Sequence, residues 1–219
     1  MTMIKICGMK NEERAVAAAR AGANIIGLVL ADSPRRITPE QAEKITAALK
    51  KSKLPVEIAG IFVNEPIGRV RSIADTCGLD WVQLSGDEPW EYCRELARPI
   101  IKVVRLSPAY TPGAASENLA YGSRILDRQK IRFLLDSRSG EKYGGTGKTF
   151  DWPLAEPVAR QYPVIIAGGL TPANVGEAIK TIRPWGVDVS SGVETKGVKD
   201  MVKIMKFIAA VRRADDSAT

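Results

Sequence analysis

The stretch MTMIKICGMK places Cys7 at the end of a short apolar run, in a chain with 3 cysteines and no histidine among 219 residues. A thiolate can take a proton from carbon, and a carboxylic acid can deliver one to oxygen. Side chains alternate across a strand, so Lys5 and Cys7 share one face of MIKIC while Ile4 and Ile6 share the other. In IRFLLD, Leu134 and Asp136 oppose Phe133 and Leu135, with Asp136 last. In GVDVS, Asp188 opposes Val187 and Val189. Each residue alone has a plainer reading. Free cysteine is among the most buried residue types, Asp136 suits a helix cap or turn, and Lys5 suits an ion pair with Glu57 or another inward acid. A thiol and two carboxylates at three strand ends, all on the same face, carry more weight than any of them singly.

The elements that must position these groups recur along the whole chain. Candidate strands are MIKIC, NIIGLVL, VEIAGIFV, DWVQL, IIKVVRL, IRFLLD, PVIIAG and GVDVS. Between them run helical patterns such as NEERAVAAARAG, TPEQAEKITAALKK, EPIGRVRSIADTCG, EPWEYCRELA, TPANVGEAIKTI and VKDMVKIMKFIAAVRR. Asn11, Thr38-Pro39 and Thr171-Pro172 mark helix starts, Pro66 and Pro89 sit in first turns, and Gly22 and Gly78 mark stops. Strict alternation implies parallel strands joined by right-handed crossovers. Eight units of roughly 27 residues, without a linker or composition shift, predict a single-domain (β/α)8 barrel over residues 1–219. A doubly wound open sheet is the alternative. In a barrel the chemistry belongs at the C-terminal strand ends, where Cys7, Asp136 and Asp188 lie. SPAYTPGAASEN, after the fifth strand, reads as a loop.

Two glycine-rich turns have the character of phosphate cradles. AGGLTPANV follows the seventh strand and SSGVETKGVKD the eighth, the usual phosphate position of a (β/α)8 barrel. Gly168, Gly169 and Gly192 let backbone N–H groups approach an anion, and a short helix after the eighth strand adds its positive end. The plainer reading is that these glycines only permit tight turns. ADSPRRIT presents Arg35 and Arg36 on a loop, suited either to a carboxylate or to solvent. YGGTGKTFDW imitates a Walker A loop, but Lys142 stands where that pattern needs its first glycine, and Asp151-Trp152-Pro153 reads as a fresh helix start. The run Gly144–Gly147 is better read as a loop closing over the mouth.

A net charge of +7 is spread among acidic residues without a basic block, so nucleic-acid binding is not expected. Lys5 interrupts the first apolar run, and AGANIIGLVLA is about half a membrane span, so no membrane association is expected. Cys7, Cys77 and Cys93 lack CxxC spacing and read as free thiols, consistent with a cytoplasmic location.

These motifs together resemble the phosphoribosylanthranilate isomerase family. The likeness runs nearly end to end through KICGM, GLVLADSPRRI, GIFVN, VQLSGDE, LLDS, GGTGKTFDW, AGGLTPANV and VDVSSGVE. It implies a single-domain (β/α)8 barrel that performs an Amadori rearrangement on a phosphosugar without metal or organic cofactor, as a monomer or homodimer. It further implies that Cys7 is the general base, Asp136 the general acid, and Arg35 the holder of the anthranilate carboxylate. Asp188 then meets the sugar, with Gly168, Gly169, Ser191 and Gly192 around the phosphate. The base role calls for a Cys7 pKa lowered from about 8.5 towards neutrality by nearby cations or helix ends. An isomerase of the histidine pathway is a related alternative, against which Cys7 argues, and a non-catalytic phosphate-binding barrel is another. One departure is Ser85, in Gln83-Leu84-Ser85-Gly86, where the family usually carries histidine.

Overall fold

Eight apolar runs pair in sequence order, each parallel to the next, in a computed structural model describing residues 1–96, 98–106, 112–127, 130–137 and 155–217. They are β1 (Met3–Cys7), β2 (Ile25–Val29), β3 (Glu57–Phe62), β4 (Trp81–Leu84), β5 (Ile100–Leu106), β6 (Ile131–Ser137), β7 (Val164–Ile166) and β8 (Gly186–Val189). β8 pairs back onto β1, with Met3 opposite Gly186 and Lys5 opposite Asp188, so the sheet is a closed barrel and not an open one. The helices are α1 (Glu12–Arg20), α2 (Pro39–Lys51), α3 (Ile67–Thr76), α4 (Trp90–Glu95), α5 (Pro112–Ile125), α6 (Glu156–Ala159), α7 (Val175–Ile182) and α8 (Met201–Asp216). Among the described residues no helix is long and apolar enough to cross a membrane.

Local chemistry explains where the helices begin. Asn11 accepts from the Arg14 N–H at 3.0 Å. Thr38 and Gln41 form a reciprocal capping box with Pro39 in the first turn. Asp200 accepts from Val202 and Lys203 ahead of α8. Such caps contribute about 1 kcal/mol each. Four boundaries differ from the sequence reading. Pro66 and Pro89 stand just ahead of α3 and α4 and not inside their first turns. Thr171-Pro172 belongs to a turn, and α7 starts after Asn174, whose side chain accepts from the Thr171 N–H at 2.7 Å. Part of SPAYTPGAASEN is helical, because Pro112 fits a first helical turn and alanines follow it in α5. The rest of that segment, 107–111, lies outside the described residues, as do the Gly144–Gly147 loop and Asp151-Trp152-Pro153.

The strand faces divide as alternation requires. Ile4, Ile6, Phe133, Leu135, Val187 and Val189 pack outward against the helices. Inside the barrel, Ile25, Ala59, Trp81, Ile101, Leu134 and Ile165 form a buried layer. Nearer the mouth, Cys7, Val29 and Ile61 form another. α8 locks the seam between β8 and β1, since Asp215 accepts from the Thr2 N–H at 2.9 Å and Arg212 donates to the Thr2 carbonyl at 2.8 Å.

The opposite end is plugged by Arg132, whose guanidinium lies 4.5 Å from the Trp185 ring and 5.5 Å from the Trp81 ring. Trp81 Nε1 donates to Glu57 at 3.0 Å. Glu57, which the sequence offered as a partner for Lys5, is thus committed to this end. An Arg132→Met variant is expected to lose about 1–2 kcal/mol of stability. Its kcat should stay at the wild-type value, because Arg132 lies at the far end from the mouth; denaturant melts run beside turnover check both halves.

Candidate active site

The C-terminal strand ends surround a cavity of about 980 Å³. Cys7, Arg35, Asp136 and Asp188 all line it, and so do Gly168, Gly169, Ser191 and Gly192. Strands β1, β6 and β8 aim the thiol and the two carboxylates at this one space, as alternation anticipated. Arg36, by contrast, is exposed and is not among the residues lining it.

Lys5 is almost fully buried and donates to Asp188 Oδ1 at 3.0 Å. Burial alone would lower the lysine pKa. The Asp188 carboxylate, with the Cys7 thiol adjacent, outweighs burial and raises it. Lys5 is therefore a fixed cation below the reaction zone. Asp188 Oδ2 has no hydrogen-bond partner among the described residues, which leaves an open acceptor at the cavity.

Cys7 corrects one expectation. Burial beside Val29 and Ile61 pushes its thiol pKa above the ordinary value. Lys5 and Lys199 pull it down, Asp188 adds to the rise, and burial prevails. The cations anticipated from the sequence are present, but they recover only part of the penalty of stripping water from a thiolate.

After β7 and β8 the backbone is shaped for an anion. Gly168 and Gly169 adopt φ of +87° and +63°, and Asn174 Nδ2 donates to the Gly169 carbonyl at 3.0 Å. Ser191–Val193 form one 3-10 turn, the short helix expected there. A side chain at Gly192 would place its Cβ 1.9 Å from the Leu170 carbonyl oxygen, so only glycine lets the two loops meet. The N–H groups of Gly168, Gly169, Ser191 and Gly192 have no partner among the described residues. Backbone donors gathered this way are what a phosphate requires.

Several residues at or behind the cavity wall escaped the sequence reading. Residues 194–199, taken there as loop and helix, form a small hairpin of β9 (Glu194–Thr195) and β10 (Val198–Lys199). Its turn is Lys196-Gly197, both with positive φ, and Lys-Gly is not one of the dipeptides that mark such a turn in a sequence. Arg35 Nε donates to Glu194 Oε1 at 2.7 Å and one Nη to Oε2 at 2.8 Å. Lys199 Nζ donates to Glu194 Oε1 at 2.6 Å and to the Ser190 carbonyl at 2.9 Å. Burial works to raise the Glu194 pKa, but hydrogen bonds from Arg35 and Lys199 prevail and hold it below the usual carboxylate range. Gln83 Nε2 donates to Ser85 Oγ at 3.1 Å, and Arg105 donates to the Ser85 carbonyl. Ser85 thus keeps a polar contact at the cavity where the resemblance leads one to expect histidine.

Fold and cavity together define the (β/α)8-barrel class, with a thiol, two carboxylates and two glycine loops gathered at the mouth. Comparison with known proteins narrows this. Residues 4–210 match the sequence model of the family described as N-(5'phosphoribosyl)anthranilate (PRA) isomerase. A protein of Roseiflexus sp. (strain RS-1) named N-(5'-phosphoribosyl)anthranilate isomerase is 46% identical over 220 residues, covering 98% of this chain and 99% of the relative. The crystal structure of phosphoribosyl anthranilate isomerase from Thermotoga maritima superposes with a TM-score of 0.84 at 38% identity, covering 97% of this chain and all of that one. A phosphoribosyl anthranilate isomerase in complex with reduced 1-(o-carboxyphenylamino)-1-deoxyribulose 5-phosphate gives 0.80 at 35% identity, with the same coverage. The chain belongs to the N-(5'-phosphoribosyl)anthranilate isomerase family.

The raised thiol pKa sets a pH dependence. Thiolate forms as pH rises through the folded-state value, so alkylation of Cys7 by iodoacetamide in the unliganded protein should accelerate with a midpoint above the roughly 8.5 of a free thiol. Peptide mapping of the labelled residue against pH measures this, and a midpoint near neutrality would show that the cations win over burial.

Proposed function

We propose that the chain catalyses the Amadori rearrangement of N-(5'-phosphoribosyl)anthranilate to 1-(o-carboxyphenylamino)-1-deoxyribulose 5-phosphate, a step of tryptophan biosynthesis. The observation that carries the reading is the meeting of Cys7, Asp136 and the two glycine loops at one cavity, in a chain of this family. The reading includes a cytoplasmic location, action as a monomer or homodimer on a free phosphosugar, and no nucleic-acid partner.

The chemistry assigns the groups in order. Backbone N–H groups at Gly168, Gly169, Ser191 and Gly192 hold the phosphate, and Arg35 takes the anthranilate carboxylate. Asp136 protonates the furanose oxygen as the anilino nitrogen pushes the ring open to a Schiff base. The Cys7 thiolate then removes the hydrogen from C2' and leaves an enolamine. Protonation at C1' and loss of the C2' hydroxyl proton complete the ketone. Asp188, fixed by Lys5, accepts from a sugar hydroxyl and orients C2' towards the thiol.

Cys7→Ala and Asp136→Asn should fold normally and lose about a hundredfold or more of kcat. Arg35→Ala should chiefly raise KM. Anthranilate fluorescence during turnover of freshly prepared substrate reads all three. Near-wild-type turnover by Cys7→Ala would remove the base assignment, and an unchanged KM in Arg35→Ala would remove the carboxylate assignment. A well-folded wild type with no turnover would return the chain to the phosphate-binding barrel reading.

A further inference from the structure

Arg35 is exposed to the cavity along one edge, and its other edge is already occupied. Glu194 takes Nε and one Nη through both carboxylate oxygens, while the remaining Nη has no partner among the described residues. A guanidinium offers two forked edges, so the one left over can still accept a second carboxylate. The stem runs close to the β1 end. Arg35 Cδ lies where it would be 2.7 Å from a Cβ on Gly8, directly after Cys7. Glycine at position 8 is what leaves room for the Arg35 stem to pass there.

Glu194 is held in its turn by Lys199, its neighbour across the hairpin. That ammonium is buried and also meets the Ser190 carbonyl at 2.9 Å and Ser190 Oγ at 3.1 Å. Ser190 Oγ donates to the Cys7 carbonyl at 3.1 Å. A continuous chain of polar contacts thus runs from the Arg35 guanidinium to the strand end that carries the thiol. Two cations on one buried carboxylate leave this cluster a net positive charge, which favours an incoming anion.

We propose that Glu194 is the positioning residue for substrate carboxylate recognition: it grips one edge of Arg35 so that the other edge faces the cavity, and through Lys199 it fixes that edge relative to Cys7. The inference rests on the proposed function, in which Arg35 binds the anthranilate carboxylate. Glu194 itself touches no reacting atom. Its removal should therefore alter binding of the carboxylate end and leave both the chemistry and the phosphate end intact.

The test compares wild type, Glu194→Gln, Glu194→Asp and Arg35→Ala, each first verified as folded by thermal melting. Glu194→Gln keeps the size but gives up one acceptor and the charge. It should raise KM for N-(5'-phosphoribosyl)anthranilate about tenfold, with kcat within about twofold. Glu194→Asp keeps the charge on a shorter arm and should fall between wild type and Glu194→Gln; it also carries the test if the glutamine variant melts early. Affinity for inorganic phosphate, measured by calorimetry, should not change in either. Phosphate affinity lost in step with KM would mean a general collapse of the loops and overturn the proposal, as would a fall in kcat at constant KM. If Arg35→Ala raises KM and both Glu194 variants do not, the positioning role fails alone. If Arg35→Ala leaves KM unchanged, the carboxylate reading beneath it has failed.

Discussion

The ion pair between Lys5 and Asp188 sits at the seam where β1 and β8 close the barrel, and the site depends on it. Placing an ammonium and a carboxylate inside an apolar barrel carries a desolvation penalty that only close, well-directed contact offsets. That contact is available because register sets the two residues opposite each other, 183 positions apart in the chain. It fixes a positive charge beneath Cys7 and leaves the second oxygen of Asp188 facing the cavity. A hydrophobic pair would fill the space as well and would give the site neither.

Charge continues upward from this pair in alternating sign. Lys5 and Asp188 lie lowest, Lys199 and Glu194 flank the mouth, and Arg35 reaches over it. Cys7 lies among them with its thiol pKa held above the ordinary value. Its surroundings combine an apolar ring, which favours the thiol, with two cations, which favour the thiolate. Burial is the stronger of the two, so the mouth favours the thiol over the thiolate.

The sequence disclosed the barrel because its signals are local and repeated. Period-two alternation sorted Lys5 from Ile4 and Asp136 from Leu135 before any contact was known. The caps at Asn11 and Thr38 were legible for the same reason, since cap and acceptor lie within one turn. The hairpin carrying Glu194 was not legible, because two-residue strands are too short to show a period. Nor was the grip of Glu194 on Arg35, whose partners are separated by 159 residues. The residue types around Cys7 were visible, but the balance between burial and charge is a property of the packed mouth. Helix α5 was misread because proline, glycine and serine at its start have loop-like composition.

The Arg132 sandwich at the far end bears on traffic. With Trp81 and Trp185 stacked about the guanidinium and the layer above it packed, the barrel axis is a dead end and not a conduit. Among the described residues, the route from Cys7 to bulk water is the open mouth of the cavity. The thiol therefore sits, among the described residues, in a compartment that is closed at its base and open at its mouth.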